Sequence, residues 1–332
     1  MPRVRILCNC PVDHLPEVKR ALESIGEVRY AQHTYQELLE AIGAYDALVP
    51  SLDIALDEKL LGRARRLRLI ATPSTGTDHI DLKCTTKLGI TVLSLKDDYE
   101  FLKGVAATAE HAFGLMLAIV RRTPFAFASV RGGGWHSQDF RGRELLDKTL
   151  GIIGYGRLGE MMARYGHAFG MRILACDPYK TAGEPFVKQV DFGTLLRCSD
   201  IITIHVHLND ETRNMMSDFA FSQVKPGSYL VNTSRGAVVD ERALLDALES
   251  GKVAGAALDV ICGELDGNLE QHPLIRYAQT HDNLIITPHL GGVTYESQAK
   301  AYAHTARKIE QFFQAKPGSA SRAAVQEPEK GE

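Results

Sequence analysis

Three polar side chains stand just after three short apolar runs. Arg235 follows Leu230-Val231-Asn232-Thr233-Ser234, Glu264 follows Leu258-Asp259-Val260-Ile261-Cys262-Gly263, and His289 follows Ile286-Thr287-Pro288. A guanidinium holds an anionic carboxylate in a fixed fork and polarises the carbonyl beside it. An imidazole gives or removes a hydroxyl proton near neutral pH, and a carboxylate next to it fixes its tautomer and favours its charged form. Together these groups suit hydride transfer to or from a small 2-oxo or 2-hydroxy acid. Singly, each has a plain structural explanation: Arg235 as a solvated loop charge, Glu264 as a surface acid, His289 as a helix cap. At successive strand ends of one nucleotide fold, where ligands of open α/β sheets sit, that explanation loses.

A nucleotide fold is expected from Gly154-Tyr155-Gly156-Arg157-Leu158-Gly159, which follows the apolar run Leu150-Gly151-Ile152-Ile153 and opens a helical stretch from Glu160 to Phe169. In such a turn the first glycine makes the bend, the second lets backbone N–H groups approach a pyrophosphate, and the third lets helix pack on strand. Asp177 ends the next strand, at the distance where an acidic residue binds ribose hydroxyls and repels a 2′-phosphate. The cofactor expected is therefore NAD rather than NADP.

The elements that must position these residues are short β-branched runs alternating with amphipathic helices, the pattern of a parallel sheet covered on both faces. A first series reads as strands at Val4–Leu7, Glu27–Tyr30, Ala47–Val49, Leu69–Ala71 and Ile90–Leu93. A second reads as strands at Leu150–Ile153, Arg172–Ala175, Asp200–Ile204, Ser228–Val231, Gly255–Leu258 and Asn283–Thr287, a six-stranded dinucleotide-binding sheet. Between the series, the Ala-rich segment Ala106–Val120 is expected to be a long helix that bridges two domains. Behind it Arg131-Gly132-Gly133-Gly134-Trp135-His136 reads as a loop carrying the only tryptophan. Ser297–Phe313 is expected to be helical, and the Pro-, Gly-, Ser-, Ala- and Glu-rich tail from Lys316 to Glu332 disordered.

Composition narrows the function. The 332 residues exceed a single typical domain, and 45% hydrophobic with 24% charged residues is ordinary for a soluble globular chain. A net charge of −3 supplies no global field for nucleic acid or an anionic membrane. No apolar run is long enough to span a bilayer, the start turns polar at Asn9, and the six cysteines lack paired spacing, so a cytoplasmic protein with reduced thiols is expected. His205 and His207 imitate a metal-binding pair, but no third ligand accompanies them and no metal is expected.

The glycine turn, Val231–Gly236, Ala257–Val260 with Glu264, Thr287–Gly292, Ser74-Thr75-Gly76-Thr77-Asp78-His79-Ile80-Asp81 and Thr108-Ala109-Glu110-His111 closely resemble the D-isomer-specific 2-hydroxyacid dehydrogenases, over nearly the whole chain from residue 4 to about 314. The resemblance implies an α/β architecture in which a Rossmann-type NAD-binding domain, residues 104–290, is inserted into a discontinuous flavodoxin-like substrate (catalytic) domain, residues 1–103 and 291–316, before a tail at 317–332. The crossings would be hinges and the site would lie between the domains. It implies Arg235, Glu264 and His289 as the catalytic set: His289 protonating the carbonyl oxygen, Glu264 supporting it, Arg235 orienting the carboxylate. Along the cofactor it places Thr108, Gly154, Tyr155, Gly156, Arg157, Leu158, Gly159, Asp177, His205, Thr212, Thr233, Ser234, Arg235, Asp259, His289 and Gly291. Around the substrate it places Ser51, Ser74, Thr75 and Gly76 with Arg235 and His289. The glycines at 132–134 and Trp135 match the part of the family that embraces a second subunit, so a homodimer through residues 104–146 is expected.

The sequence departs from the family at Val206–Thr212, where His207 and Asn209 replace the usual proline and threonine, and at Leu265, where a proline is common. Val49-Pro50-Ser51-Leu52 lacks the arginine of many phosphoglycerate dehydrogenases, Glu264 stands where formate dehydrogenases have glutamine, and no lysine of the phosphite dehydrogenases lies near Thr75. Those substrates are disfavoured. A dinucleotide-sensing interaction protein of the carboxy-terminal binding corepressor type shares the fold and residues and is the alternative to an enzyme. Cys262, close to the site, is expected to be a packing residue rather than a redox sensor.

Overall fold

The computed structural model describes residues 3–315. The chain divides into two compact units, one of Met1–Gly104 with the chain from Thr294 onward, the other Val105–Val293. The division falls at 104 and 293 rather than at the expected 103 and 290, and the tail expected at 317–332 lies outside the described residues.

The first unit carries a parallel sheet of β1 (Val4–Cys8), β2 (Gly26–Tyr30), β3 (Ala47–Val49), β4 (Leu69–Ala71) and β5 (Thr91–Leu93), in the order β2-β1-β3-β4-β5. This is the flavodoxin-like order. Both faces are covered, because alternate side chains enter two different clusters: Leu7, Leu48 and Ile70 pack on one side, Ile6, Cys8, Ala47, Val49, Leu69 and Ala71 on the other. Helix Tyr295–Gln314 closes the second face with Ala306 and Ile309, so a late segment of the chain covers the sheet that its first strands build.

The second unit is a seven-stranded parallel sheet: β6 (Thr149–Ile153), β7 (Arg172–Cys176), β8 (Val187–Gln189), β9 (Ile201–Ile204), β10 (Ser228–Asn232), β11 (Val253–Leu258) and β12 (Leu284–Ile286), in the order β12-β11-β10-β9-β6-β7-β8. The strand order reverses between β6 and β9, which places a crevice at their carboxyl ends. The expectation of six strands misses β8. Its Lys188 and Gln189 are exposed at the sheet edge, where pairing needs no apolar run.

The helix expected to bridge the domains belongs wholly to the second unit. Ala107–Arg121 buries Ala109, Ala112, Phe113, Leu115, Met116, Ile119 and Val120 in one cluster with strand residues Leu150, Ile152, Val231 and Ala257. It stops where Arg122 turns left-handed (φ 56°), and a second helix, Thr123–Arg131, leaves at 66° with Pro124 in its first turn. Proline is preorganised for a helix start, but a stretch with no apolar periodicity gave no reason to expect a helix there. Among the described residues no single helix is long and apolar enough to cross a membrane.

Candidate active site

The glycine turn between β6 and helix Arg157–Ala168 divides labour among its three glycines. Gly154 has φ 88°, a left-handed bend, and a Cβ there would lie 2.5 Å from the His205 carbonyl oxygen. A Cβ at Gly159 would lie 2.2 Å from the Gly154 carbonyl, so only glycine lets the helix approach the strand. At Gly156 a Cβ would meet nothing within 4 Å, and no side chain caps the helix that follows. The first N–H groups of this helix therefore have no side-chain cap, and a helix start of this kind is the arrangement that receives a pyrophosphate. Two orphaned polar atoms, Thr233 Oγ1 at the end of β10 and His205 Nδ1 at the end of β9, are buried without partners. The set fits a dinucleotide.

Neighbours of the turn do other work. The Tyr155 side chain is 1% exposed, and its hydroxyl donates to Glu184, so only its backbone lies at the turn. Its N–H goes to Asp177 Oδ2 at 2.7 Å. Asp177 Oδ1 accepts from the N–H groups of Tyr179 (2.8 Å) and Lys180 (3.1 Å), so the carboxylate expected to bind ribose hydroxyls is held by the backbone on both oxygens. Arg157 donates to the Val105 carbonyl, and Leu158 packs against the core. His205 Nε2 is 2.8 Å from Thr203 Oγ1, and burial pushes its pKa down to about 3, leaving a neutral ring. Thr212, expected along the cofactor, is held in its own loop: its hydroxyl donates to the His207 carbonyl at 2.6 Å and accepts from Asn209 N at 2.9 Å.

At the end of β10, Asn232 Oδ1 accepts from the N–H (3.0 Å) and hydroxyl (2.7 Å) of Ser234, while its amide donates to the Arg235 carbonyl at 2.9 Å. This side chain folds the backbone into a turn of the kind asparagine favours. Ser234 is thereby buried, and the Arg235 guanidinium, half-buried, donates to the Ser234 carbonyl at 2.7 Å.

His289 occupies an unusual backbone state. Its φ is 54°, left-handed, which costs a residue with a Cβ about 1–2 kcal/mol. The strain is held by Asp259, which is 1% exposed. The Asp259 carbonyl accepts the His289 N–H at 3.0 Å, and its carboxylate accepts from Thr287 Oγ1 (2.6 Å), Leu290 N and Gly291 N (both 2.7 Å). His111 Nε2 adds contacts of 3.1 Å to that carboxylate and to Thr287. Burial favours the neutral acid, but the hydrogen bonds from His111, Thr287, Leu290 and Gly291 outweigh it and hold the Asp259 carboxyl below its ordinary value. Asp259 was expected along the cofactor; the structure encloses it beneath the loop that carries His289. Thr108 stands over Gly291, where a Cβ would lie 3.1 Å from its methyl group. His111, which the sequence reading left without a role, lies one turn after Thr108 on the same helix, a spacing that puts both on one face.

The outcome is a short contact: His289 Nδ1 to Glu264 Oε1, 2.9 Å. A carboxylate only accepts, so Nδ1 carries the proton of this contact. The structure therefore joins Glu264 to His289, and sets Arg235 at the end of β10, on the same sheet edge as the glycine turn.

In the first unit, Ser74 Oγ donates to the Gly76 carbonyl at 2.6 Å and lies 2.9 Å from Thr72 Oγ1, which folds Ser74–Gly76 into a tight turn after β4. Ser51 donates to Asp53 in the loop after β3.

Residues 113–291 match the family model described as D-isomer specific 2-hydroxyacid dehydrogenase, NAD binding domain. The chain is 34% identical over 311 residues to a hydroxypyruvate reductase of Thermotoga maritima, covering 93% of this chain and 98% of that one. A D-3-phosphoglycerate dehydrogenase of Archaeoglobus fulgidus is 38% identical over 266 residues, covering 79% of this chain and 48% of the relative. The chain spans about half the length of the phosphoglycerate dehydrogenases it matches. Among solved structures, a D-lactate dehydrogenase of Aquifex aeolicus, complexed with NAD and lactic acid, superposes with a TM-score of 0.80 at 30% identity, covering 93% of this chain and 95% of that one. The protein belongs to the D-isomer-specific 2-hydroxyacid dehydrogenase family.

Proposed function

We propose that the protein is an NAD-dependent oxidoreductase acting between a small D-2-hydroxy acid and its 2-oxo acid. The observation that carries the reading is the 2.9 Å His289–Glu264 pair at the edge of the sheet that also bears the glycine turn. NAD, when bound, supplies the redox chemistry by accepting or giving the hydride. Its pyrophosphate would be held at Gly154–Gly159, its ribose hydroxyls at Asp177, and its length along Thr108, His205, Thr233 and Ser234.

The remaining work falls to side chains. Arg235 holds the substrate carboxylate in a bidentate fork and fixes which face of the carbonyl is presented. His289 donates the Nε2 proton to the carbonyl oxygen in reduction and takes it back in oxidation. Glu264, fixed at Nδ1, holds the ring in that orientation and offsets the positive charge that His289 carries before donation. The named relatives favour an enzyme over the dinucleotide-sensing alternative.

Trp135, 84% exposed, with Phe127, Val130 and Leu146 also exposed, supports a homodimer through the 104–146 segment. The free thiols accord with a reducing compartment, and we place the protein in the cytoplasm. The test is NADH oxidation against a panel of 2-oxo acids that includes glyoxylate, hydroxypyruvate and pyruvate. Turnover of at least one, lost in His289→Asn, is expected; NADH binding with no turnover of any would overturn the enzyme reading.

A further inference from the structure

One peptide, that joining Ile261 to Cys262, meets several of the elements that carry the site. From one side it meets the arginine turn: a Cβ on Gly236 would fall 2.2 Å from the Ile261 carbonyl carbon and 2.4 Å from the Cys262 nitrogen, so the residue after Arg235 rests directly on this peptide. Forward along the chain, Glu264 follows Cys262 by two residues. The peptide is gripped from a third direction. Glu241, the first residue of helix Glu241–Glu249, accepts the Cys262 N–H on Oε1 at 2.7 Å. His272 places Nε2 3.3 Å from Glu241 Oε2 and 3.1 Å from the Cys262 carbonyl oxygen.

The Cys262 carbonyl only accepts, so His272 Nε2 carries the proton and donates to it, with Glu241 Oε2 within ion-pair distance of the same nitrogen. Its Nδ1 is buried without a partner. Glu241 and His272 are each largely enclosed, and burial pushes the Glu241 carboxyl upward against the Cys262 N–H and His272, which favour the ionised form. Enclosing an acid and an imidazole is costly unless their hydrogen bonds are kept, and here it is this one peptide that keeps them, so the pair and the peptide hold each other in place.

We infer that Glu241 and His272 are positioning residues that set Arg235 and Glu264 relative to each other by clamping the Ile261–Cys262 peptide between them. The inference rests on the roles proposed above for Arg235 and Glu264. His272 also ends the loop that Cys262 begins, so the same pair ties both ends of the segment that carries Glu264.

The experiment uses the full chain and four variants. Glu241→Ala and His272→Ala remove the clamp; Glu241→Gln keeps an oxygen for the Cys262 N–H, and His272→Gln keeps a donor near the Nε2 position. Glu241→Ala should lower kcat for 2-oxo acid reduction by about tenfold or more, since sub-ångström misplacement of positioning groups costs rates of that order. NADH affinity, measured by fluorescence, should stay within about twofold, because the glycine turn is untouched. The two conservative variants should recover most of the loss. Combined with Glu264→Gln, Glu241→Ala should cost less than the product of the separate effects, because both act through one side chain. If Glu241→Ala does not fold, His272→Ala decides. Wild-type kcat in either alanine variant, or a loss that the conservative variants share in full, overturns the inference. Amide hydrogen exchange separates it from the function itself. Faster exchange confined to 261–272 in a protein whose wild type reduces no 2-oxo acid would uphold the clamp and sink the enzyme reading. Unchanged exchange and kcat in an active enzyme would do the reverse.

Discussion

His289 and Asp259 are joined by backbone and side chain together: the Asp259 carbonyl takes the His289 N–H at 3.0 Å, and its carboxylate takes the next two N–H groups, of Leu290 and Gly291, at 2.7 Å each. One buried acid thus determines a left-handed backbone at the residue proposed to move the proton. Asparagine in its place offers one oxygen where the carboxylate uses two. Asp259→Asn should destabilise the protein by about 1–3 kcal/mol at neutral pH, the cost of an unsatisfied buried group. The pH dependence follows from the lowered folded value. Stability from Asp259 is complete above the unfolded carboxyl value of about 3.9 and is lost as pH falls through the folded value below it. Urea midpoints of wild type and variant should therefore differ from pH 5 to 8 and converge only in strong acid; a gap that closed near pH 6 would be inconsistent with an ionised, hydrogen-bonded Asp259.

Removing the proposed proton carrier is the sharper kinetic test. His289→Asn should reduce kcat/KM for the preferred 2-oxo acid by about 100- to 10,000-fold, the usual contribution of a positioned acid–base group. Glu264→Gln keeps a hydrogen-bonding partner for Nδ1 but not its charge, so its loss should be the smaller of the two. A Glu264→Gln variant more damaged than His289→Asn would reverse the assignment of roles.

How much of this could be read from residue order depends on what holds each part. All-apolar runs such as Ala47-Leu48-Val49 and Leu69-Ile70-Ala71 have strand limits set by burial on both faces, and their boundaries were legible to the residue. Strand-end logic likewise pointed to Arg235, Glu264 and His289, of which the structure brings Glu264 and His289 into contact. Strand β8 and helix Thr123–Arg131 were not legible, since exposed edge pairing and a helix without a buried face leave no periodicity. Nor was the enclosure of Asp259, two of whose partners are backbone N–H groups 31 and 32 residues onward, which no side-chain pattern marks. Glu241 and His272 were hidden for the same reason: their target is a main-chain amide, and every residue has one.

Asp177 makes a prediction with two parts, because its oxygens already hold the N–H groups of Tyr155, Tyr179 and Lys180. Asp177→Ala should weaken NADH binding by about tenfold while leaving NADPH weaker by less, since the repulsion of a 2′-phosphate goes with the carboxylate. The loosened turn should also lower the thermal midpoint by a few degrees, about 1 kcal/mol of lost hydrogen bonding. An NADH-to-NADPH affinity ratio unmoved by the change would remove Asp177 from the ribose.

Cys262 should be chemically quiet despite its place beside Glu264. Burial, with the Glu241 charge, pushes its thiol pKa up to about 11. Below that value the thiolate, which is the nucleophile, falls tenfold for each pH unit. Iodoacetamide labelling of Cys262, followed by peptide mass spectrometry, should therefore rise steadily from pH 7 to 10 without a plateau, and should lag the exposed Cys198 at pH 7. Rapid labelling of Cys262 at pH 7, levelling off by pH 8, would mean a reactive thiol and reopen a redox role.

The last prediction concerns assembly. Trp135 is 84% exposed and Phe127 67%, and Val130 and Leu146 are exposed beside them in the sequence segment that joins two buried elements, helix Ala107–Arg121 and β6. The segment returns to the helix it left, the Arg143 N–H bonding the Val120 carbonyl at 3.0 Å, and Phe125 packs on the core while Trp135 and Phe127 stay exposed. Water is a poor neighbour for such rings, whose burial is worth about 25 cal/mol for each Å² of apolar surface. A second copy of the chain presenting the same surface satisfies both by symmetry. Trp135→Glu places a charge at the centre of that contact and should convert a dimer to a monomer in sedimentation equilibrium at micromolar concentration, with the fold retained by circular dichroism. A wild-type monomer, or a variant dimer of unchanged affinity, would exclude this surface as the interface.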